Sequence, residues 1–302
     1  MDRLKAMSIL VRVVETGSFS AAGRDLGIPL ATVSRQVTEL EAHLGTRLLN
    51  RTTRTLALTD AGQAYLASAR RILDHVEEAE QAASGEFHTP RGELSVTAPV
   101  CFGHLHTLPV VEEFLAAYPQ INVRLTLSDR NLHLMDDHID MAVRIGPLPD
   151  SGLIATKIGE VRTVVVAAPD LLAAHGTPKT PDALSALPGV HFDILSPGGR
   201  WSFTGADGKT RDVSPQPRLT VSAAAPAIQA ACDGVGVTRV LSYQCAEAVQ
   251  TGQLRILLED HEPARLPVHL LHAARGTLPT KMRVFLDFAK TRLRERLTAL
   301  AC

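Results

Sequence analysis

Ser18-Phe-Ser-Ala-Ala-Gly-Arg-Asp-Leu-Gly-Ile-Pro-Leu-Ala-Thr-Val-Ser-Arg-Gln-Val-Thr-Glu-Leu-Glu41 reads as two short helices joined by a tight turn. Ser18 suits an N-cap, because its hydroxyl can satisfy an orphan amide, and Gly27 is a natural helix stop. The first helix is therefore predicted over roughly residues 18 to 26. Pro29 fits the opening position of a second helix, where its missing N–H costs nothing. In that helix Val33, Val37, Leu40 and Leu44 recur at spacings of four, three and four and are expected to be core. Ala31, Arg35, Thr38 and Glu39 project from the other side, with Thr32, Ser34 and Gln36 on the flanks. A helix of this kind can enter the major groove, where Arg pairs with guanine, Gln with adenine, and Ser or Thr with bases or phosphates. An ordinary helical hairpin with a solvated polar face shares this pattern.

The next segment favours the first alternative. Arg47-Leu-Leu-Asn-Arg51-Thr-Thr-Arg54-Thr-Leu-Ala-Leu-Thr59 sets three arginines in a short extended stretch, with Leu56 and Leu58 alternating as on a half-exposed strand. Such a basic wing beside a groove-reading helix neutralises phosphates and positions the protein without reading sequence. A solvated hairpin is the competing reading.

Residues Leu4 to Thr59 resemble the winged helix-turn-helix of LysR-type transcriptional regulators, above all in "VETGSFSAAGRDLGI" and "VSRQVTELEAHLGTRLLNRTTRTLALTDAG". The resemblance implies a leading helix at about 2 to 16, whose buried face Leu4, Met7, Leu10, Val11 and Val14 fit. Ser34, Arg35, Arg51 and Arg54 match the family's DNA contacts, and Ser20, Thr32, Gln36 and Thr38 complete the candidate DNA-binding set. Many family members carry a polar residue where Pro29 and Leu30 stand here, so this chain departs from the pattern at the start of the recognition helix.

A 302-residue chain with 45% hydrophobic residues exceeds a typical single domain and can bury sizeable cores. The net charge of −1 makes no global polycation, so nucleic-acid binding has to be argued locally. No apolar run reaches the length of a membrane span, and no basic segment followed by a hydrophobic stretch opens the chain; a cytoplasmic protein without membrane partners is expected. Cys101, Cys232, Cys245 and Cys302 are widely spaced, which indicates neither a zinc site nor a disulfide framework. A redox-sensing thiol pair, as in some members of the family, stays open, and no cofactor is expected.

From Thr59, a cap, a long helical pattern repeats Tyr65, Ala69, Ile72, Val76, Ala79 and Ala83 at spacings of three and four. The stripe needs a partner helix or its own domain to cover it; the family resemblance implies a dimerising linker. Ser84 to Gly92 breaks the pattern as a hinge. Strands follow at Leu94–Ala98, Ile121–Leu127 and Asp140–Ile145, with a helix at about 103 to 117 burying Leu105, Leu108, Val111, Phe114 and Leu115. This β-α-β order predicts a mainly parallel sheet. A second such unit starts at Val161, with a helix from Pro169 to His175, strands near 189 to 193, 201 to 204 and 217 to 221, and a hairpin turn at Gly205–Lys209. A helix at about 225 to 233 ends in Gly234-Val-Gly236, followed by a strand and then a helix stopped by Gly252. Pro267–His272 and a helix from Thr280 to about Leu297 return to the first lobe.

The fold class is thus α/β: an N-terminal winged helix-turn-helix (1–59), a linker helix and hinge (60–89), then a two-lobed α/β effector domain of the periplasmic-binding-protein type (90–302). That last domain resembles the LysR effector domain, which implies lobe I at about 90–160 and 266–302, and lobe II at about 161–265. The crossings fall near Gly159–Arg162 and Pro263–Pro267. Ligands bind beyond the carboxyl ends of parallel strands. The nameable positions are Thr97, Pro99, Val100, Cys101, Phe102, Ser128, Asp129 and Arg144 in lobe I. In lobe II they are Phe192, Trp201, Phe203 and Ala224.

Arg144, on a strand buried on both faces, needs an anion: either an internal carboxylate, Asp129 or Asp140, or a ligand, which would make the effector an organic acid. Trp201 is packing or a ligand platform. The resemblance further implies a dimer or, in preference, a homotetramer on promoter DNA, a small-molecule effector and contact with RNA polymerase.

An enzyme is the weaker reading. His104 and His106 sit near Cys101 but diverge at a helix start, Asp136-Asp137-His138 lies on a surface turn, and Gly234-Val-Gly236 follows a helix instead of opening one. A transport receptor would use the two lobes alone and has no need of the N-terminal module.

Overall fold

The computed structural model describes residues 1–51, 56–84, 89–130, 132–134, 137, 139–204, 210–273 and 278–300. They form two compact units, Met1–Gly92 and Glu93–Cys302.

In the first unit, α1 (Arg3–Thr16), α2 (Phe19–Leu26) and α3 (Leu30–Leu44) precede a short hairpin, β1 (Leu49–Arg51) and β2 (Leu56–Leu58), and the long α4 (Asp60–Ser84). Side-chain caps start three of these helices. Asp2 accepts from Lys5 N–H, Ser18 from Ala21 N–H and Thr59 from Gly62 N–H. Gly27 closes α2 at φ 65°, in the left-handed region that glycine enters without strain, and this makes the turn into α3. Ala6, Ile9, Leu10 and Val13 of α1 pack with Val33, Val37 and Leu40 of α3, Leu48, Leu49 and Leu66. At Gly62 a Cβ would run into the Leu48 carbonyl oxygen, so glycine lets α4 approach the hairpin.

Two expectations are corrected here. Leu44 is 37% exposed, because it is the last residue of α3 and the chain turns away at Gly45. On α1 the buried face is Ala6, Ile9, Leu10 and Val13, and Leu4 is 41% exposed. Two stripes on that helix satisfy helical periodicity, and contact with α2, α3 and α4 selects the second. On α4 the stripe is divided: Leu66 and Ala69 are buried and Tyr65 packs on the same core, whereas Ile72 is 41% exposed and Ala79 is exposed. The expected hinge falls partly on 85–88, outside the described residues.

The second unit is built on two five-stranded sheets. Its elements are β3 (Gly92–Ala98), α5 (Val100–Phe102), a π-helical turn over Gly103–Thr107, α6 (Leu108–Ala117), β4 (Ile121–Leu127), β5 (Met141–Ile145), β6 (Ile154–Val161), β7 (Thr163–Ala167), α7 (Pro169–His175), β8 (Pro188–Phe192), β9 (Trp201–Thr204), β10 (Thr210–Val213), β11 (Gln216–Val221), α8 (Ala224–Cys232), β12 (Val237–Leu241), α9 (Ala246–Gln250), β13 (Arg255–Leu257), β14 (Leu266–His272) and α10 (Thr280–Leu300). Lobe I carries the order β4-β3-β5-β14-β6 and lobe II β11-β8-β12-β7-β13. β9 and β10 form a separate antiparallel pair in lobe II, with Thr204 opposite Thr210, and the expected turn between them is outside the described residues.

The sheets are mixed, which corrects the mainly parallel expectation. β3 pairs with β5, and β8 with β11 and β12, in parallel. β14 is antiparallel to β5 and β6, and β7 is antiparallel to β12 and β13. The cause is the chain path: strands that enter or leave a lobe through a crossing segment need no helical crossover, so they are free to run antiparallel. β6 passes through Arg162 directly into β7, and β14 brings the chain back so that α10 packs on β6 and α6.

Lobe I's helical core joins Phe102, Val110, Val111 and Phe114 to Phe285, Ala289 and Leu293 of α10. Leu105, an expected core residue, is 42% exposed and His106 is buried in its place. The π turn inserts a five-residue step, with Leu108 N–H donating to Gly103 C=O, and so rotates the buried face away from a 3.6-residue period.

Candidate nucleic-acid interface and effector cleft

α3 separates its faces cleanly. Val33, Val37 and Leu40 are fully buried, while Ala31, Arg35, Thr38 and Glu39 are exposed and Thr32, Ser34 and Gln36 half-buried. Ser20 of α2 is also exposed. The Arg35 side chain is 67% exposed and only loosely engaged, its Nε 3.8 Å from a Glu39 carboxylate oxygen; such a pair yields readily to a better acceptor. In the wing, Arg51 stands opposite Leu56 in the antiparallel register, and Arg54 lies outside the described residues.

Glu41 is a residue the helix-face reading passed over. Its Oε1 accepts from the Leu48 and Leu49 N–H groups at 2.9 and 3.1 Å, which fixes the first wing strand against the recognition helix. A carboxylate eight residues before a strand was its only trace in the sequence.

In lobe I the expected ligand residues gather at the carboxyl ends of β3 and β4. Ser128 N–H donates to Ala98 C=O, and Val100 N–H donates to Asp129 Oδ1 at 2.9 Å. Pro99 and Val100 are accessible and Cys101 is half-buried. Thr97 is fully buried, its hydroxyl donating to Thr126 C=O. Phe102 is fully buried too, and its ring packs in the lobe I core.

In lobe II, Phe192 at the end of β8 and Ala224 at the start of α8 share one core cluster. Trp201 and Phe203 belong to another, with Leu171, Leu184 and Val237. Trp201 has no exposed surface, so the expectation that it and Phe203 face the cleft is corrected: both anchor the β9–β10 pair on the sheet.

Arg144 is 91% buried by its 9% exposure, yet neither expected carboxylate meets it. Its guanidinium donates to the Val143 and Leu132 carbonyl oxygens at 3.1 and 3.4 Å. Asp140 instead accepts from Ser95 N–H and Asp129 from Val100 N–H. Among the described residues no carboxylate is paired with Arg144. Burial draws its pKa below the ordinary guanidinium value. His269 stands beside it in register on β14.

The two crossings are tied by charge. Arg162 Nε and Nη2 donate to the two carboxylate oxygens of Glu262 at 2.8 and 2.6 Å, and Nη2 also reaches Glu259 at 3.1 Å. These bonds raise the guanidinium pKa further. Beside this hinge, Tyr243 of lobe II packs edge-on against Phe102 and His106 of lobe I, ring centroids 5.5 and 5.4 Å apart. Burial, then the Arg296 charge, push the His106 pKa down to about 4. Its partner in the enzyme reading, His104, is exposed.

The thiols are held protonated. Burial and the nearby Asp129 push Cys101 up to about 11, burial pushes Cys245 up to about 12, and burial raises Cys232; reactive thiols are shifted the other way. Cys302 lies outside the described residues. Among the described residues no group of three or more His, Cys, Asp or Glu side chains is placed to hold a metal. No helix among them is long and apolar enough to cross a membrane.

Winged helix-turn-helix and two-lobed α/β unit together define a class of ligand-responsive DNA-binding regulators. Residues 4–63 match the model of the bacterial regulatory helix-turn-helix protein, lysR family, and residues 88–294 match the LysR substrate binding domain. The chain belongs to the LysR family of DNA-binding transcriptional regulators with an effector-binding domain. It is 37% identical over 294 residues to an HTH-type transcriptional regulator of Xanthomonas campestris pv. campestris, covering 94% of this chain and 84% of the relative. It is 30% identical over 287 residues to the HTH-type transcriptional activator AaeR of Escherichia coli, covering 95% of this chain and 93% of the relative. Among solved structures, CrgA, a LysR-type transcriptional regulator from Neisseria meningitidis, superimposes with a TM-score of 0.61 at 32% identity, over 96% of this chain and 98% of that one. The full-length Vibrio cholerae virulence activator AphB gives 0.59 at 30%, over 95% and 98%.

Proposed function

We propose that this regulator reads promoter DNA through α3 and its wing, using Ser20, Thr32, Ser34, Arg35, Gln36, Thr38, Arg51 and Arg54. The observation that carries the reading is the division of α3, whose apolar positions are wholly buried while Arg35 and Thr38 stand exposed. The protein works as a cytoplasmic homotetramer, not as an enzyme. The exposed half of the α4 stripe, Ile72 and Ala79, supports pairing with a second copy.

The effector is a small organic acid bound between the lobes, against Pro99, Val100, Ser128 and Asp129 and facing Phe192 and Ala224. Arg144 supports an anion, because a buried guanidinium whose partners among the described residues are carbonyl oxygens gains most from a negative partner. Binding shifts the population between two lobe angles and so repositions the DNA-binding units, which alters recruitment of RNA polymerase. The test is a mobility-shift titration of the full chain on its own promoter region with a panel of small carboxylates. The expected result is selective retardation whose affinity or mobility changes with one class of acid. Retardation equal to that of unrelated duplexes would sink the DNA assignment, and indifference to every acid would sink the effector assignment.

A further inference from the structure

The recognition helix begins in an unusual way. Its N-cap position is Pro29, which supplies no capping side chain, and the backbone alone starts the helix: Pro29 C=O accepts from the Thr32 and Val33 N–H groups at 2.9 and 3.2 Å. Pro29, Leu30 and Ala31 are all exposed, and Leu30 keeps 49% of its surface in solvent, near the highest of any large apolar side chain described. A single exposed leucine needs no explanation. Here three consecutive apolar residues occupy the end of the helix that docks, continuous with Thr32, Ser34 and Arg35 on the reading face, where polar side chains would be the soluble choice.

In the major groove the one bulky apolar group on a base edge is the C5-methyl of thymine, where cytosine has only a hydrogen. We propose that Leu30, flanked by Ala31, is a specificity-determining residue that selects thymine by packing on this methyl group. The inference rests on α3 lying in the major groove. Arg35, one helical turn and a residue further on, supplies the polar contact. Leu30 thus discriminates through a group that cytosine lacks, and it does so without phosphate contact.

The experiment separates the methyl group from the rest of the base. A duplex is selected from a random pool with the full-length protein, and each thymidine in it is replaced singly by deoxyuridine, which removes the methyl and leaves the pairing and hydrogen-bonding edges. Replacement at one or two positions per half-site is expected to weaken the wild type about three- to tenfold, the loss of one packed methyl. Leu30→Ala should bind the thymidine and deoxyuridine duplexes alike at those positions, with its salt dependence unchanged because no ion is released. Leu30→Gln should shift the selected base at that position. Wild-type affinity indifferent to every deoxyuridine, or a Leu30→Ala variant that keeps the same deoxyuridine sensitivity, overturns the assignment. A pool that yields no selective duplex removes the groove placement, and the proposal falls with it; circular dichroism of the variants checks that they fold.

Discussion

Arg162 and Glu262 form a two-point ion pair, 2.8 and 2.6 Å, between the two segments that cross from one lobe to the other. Glu262 is 16% exposed and Arg162 29%, so the pair is shielded more than a surface bridge. Any change in the angle between the lobes has to bend these segments, and the pair resists it.

Arg162→Ala is therefore expected to loosen the hinge. Hydrogen bonds to charged groups contribute about 1.5–3 kcal/mol each before screening, and the partial exposure here argues for about 1–2 kcal/mol in total. Arg162→Lys should recover only part, since an ammonium cannot reproduce the fork. Thermal unfolding and small-angle scattering of the full chain check this. An unchanged melting midpoint together with an unchanged scattering profile would refute the clamp.

His106 makes stability depend on pH. Its pKa is held near 4 in the folded protein against an ordinary value of about 6.5, so the unfolded chain binds more protons across that window. The contribution is complete above pH 6.5 and is lost as pH falls from 6.5 towards 4. His269 and His272 are also lowered and act in the same direction. Denaturant unfolding at pH 7.5 and pH 5 should show a smaller difference for His106→Gln than for the wild type; equal differences would place the acid sensitivity elsewhere.

Arg35→Ala should cost about 1–3 kcal/mol on the specific duplex and relax selectivity while leaving the oligomer intact. Arg54→Ala should weaken all sequences alike and reduce the salt slope by about one. Titrations at several salt concentrations distinguish the two. Loss confined to the specific site in Arg54→Ala would make it a reader of bases or groove shape.

Ile72→Glu places a charge on the exposed half of the α4 stripe. It should lower the oligomeric state in sedimentation without unfolding the first unit, because Ile72 is outside that unit's core. Unchanged sedimentation at micromolar concentration would exclude this stripe from the interface.

Arg144→Met keeps an unbranched apolar stem and removes the charged guanidinium. In buffer free of organic acids the variant should be as stable as the wild type or more so, since a buried charge is costly and no carboxylate among the described residues is paired with this one. It should also lose the stabilisation by organic acids that is expected of the wild type. Marked destabilisation in every buffer would mean that the carbonyl contacts of Val143 and Leu132 suffice to hold the guanidinium.

Local chemistry determined a great deal from the sequence alone. Ser18, Gly27 and Thr59 mark helix boundaries because capping depends on a hydroxyl or a left-handed φ within three residues, and all three act so in the structure. The buried triplet Val33, Val37 and Leu40 follows from helical period, and the family from the motif around it. What the tertiary structure decided depends on partners distant in the chain. Which stripe of α1 is buried, whether Leu44 or Leu105 is covered, and whether Trp201 faces a ligand or a core are set by neighbouring elements and by a π turn that no period announces. β6, β10 and β13 escaped notice because short or edge strands carry little alternation. The anchoring of the wing by Glu41, the bond of Arg144 to the Leu132 carbonyl and the Arg162–Glu262 clamp join residues 7, 12 and 100 positions apart. Charge and hydrogen-bonding capacity are properties of single residues, but their partners are chosen by three-dimensional proximity.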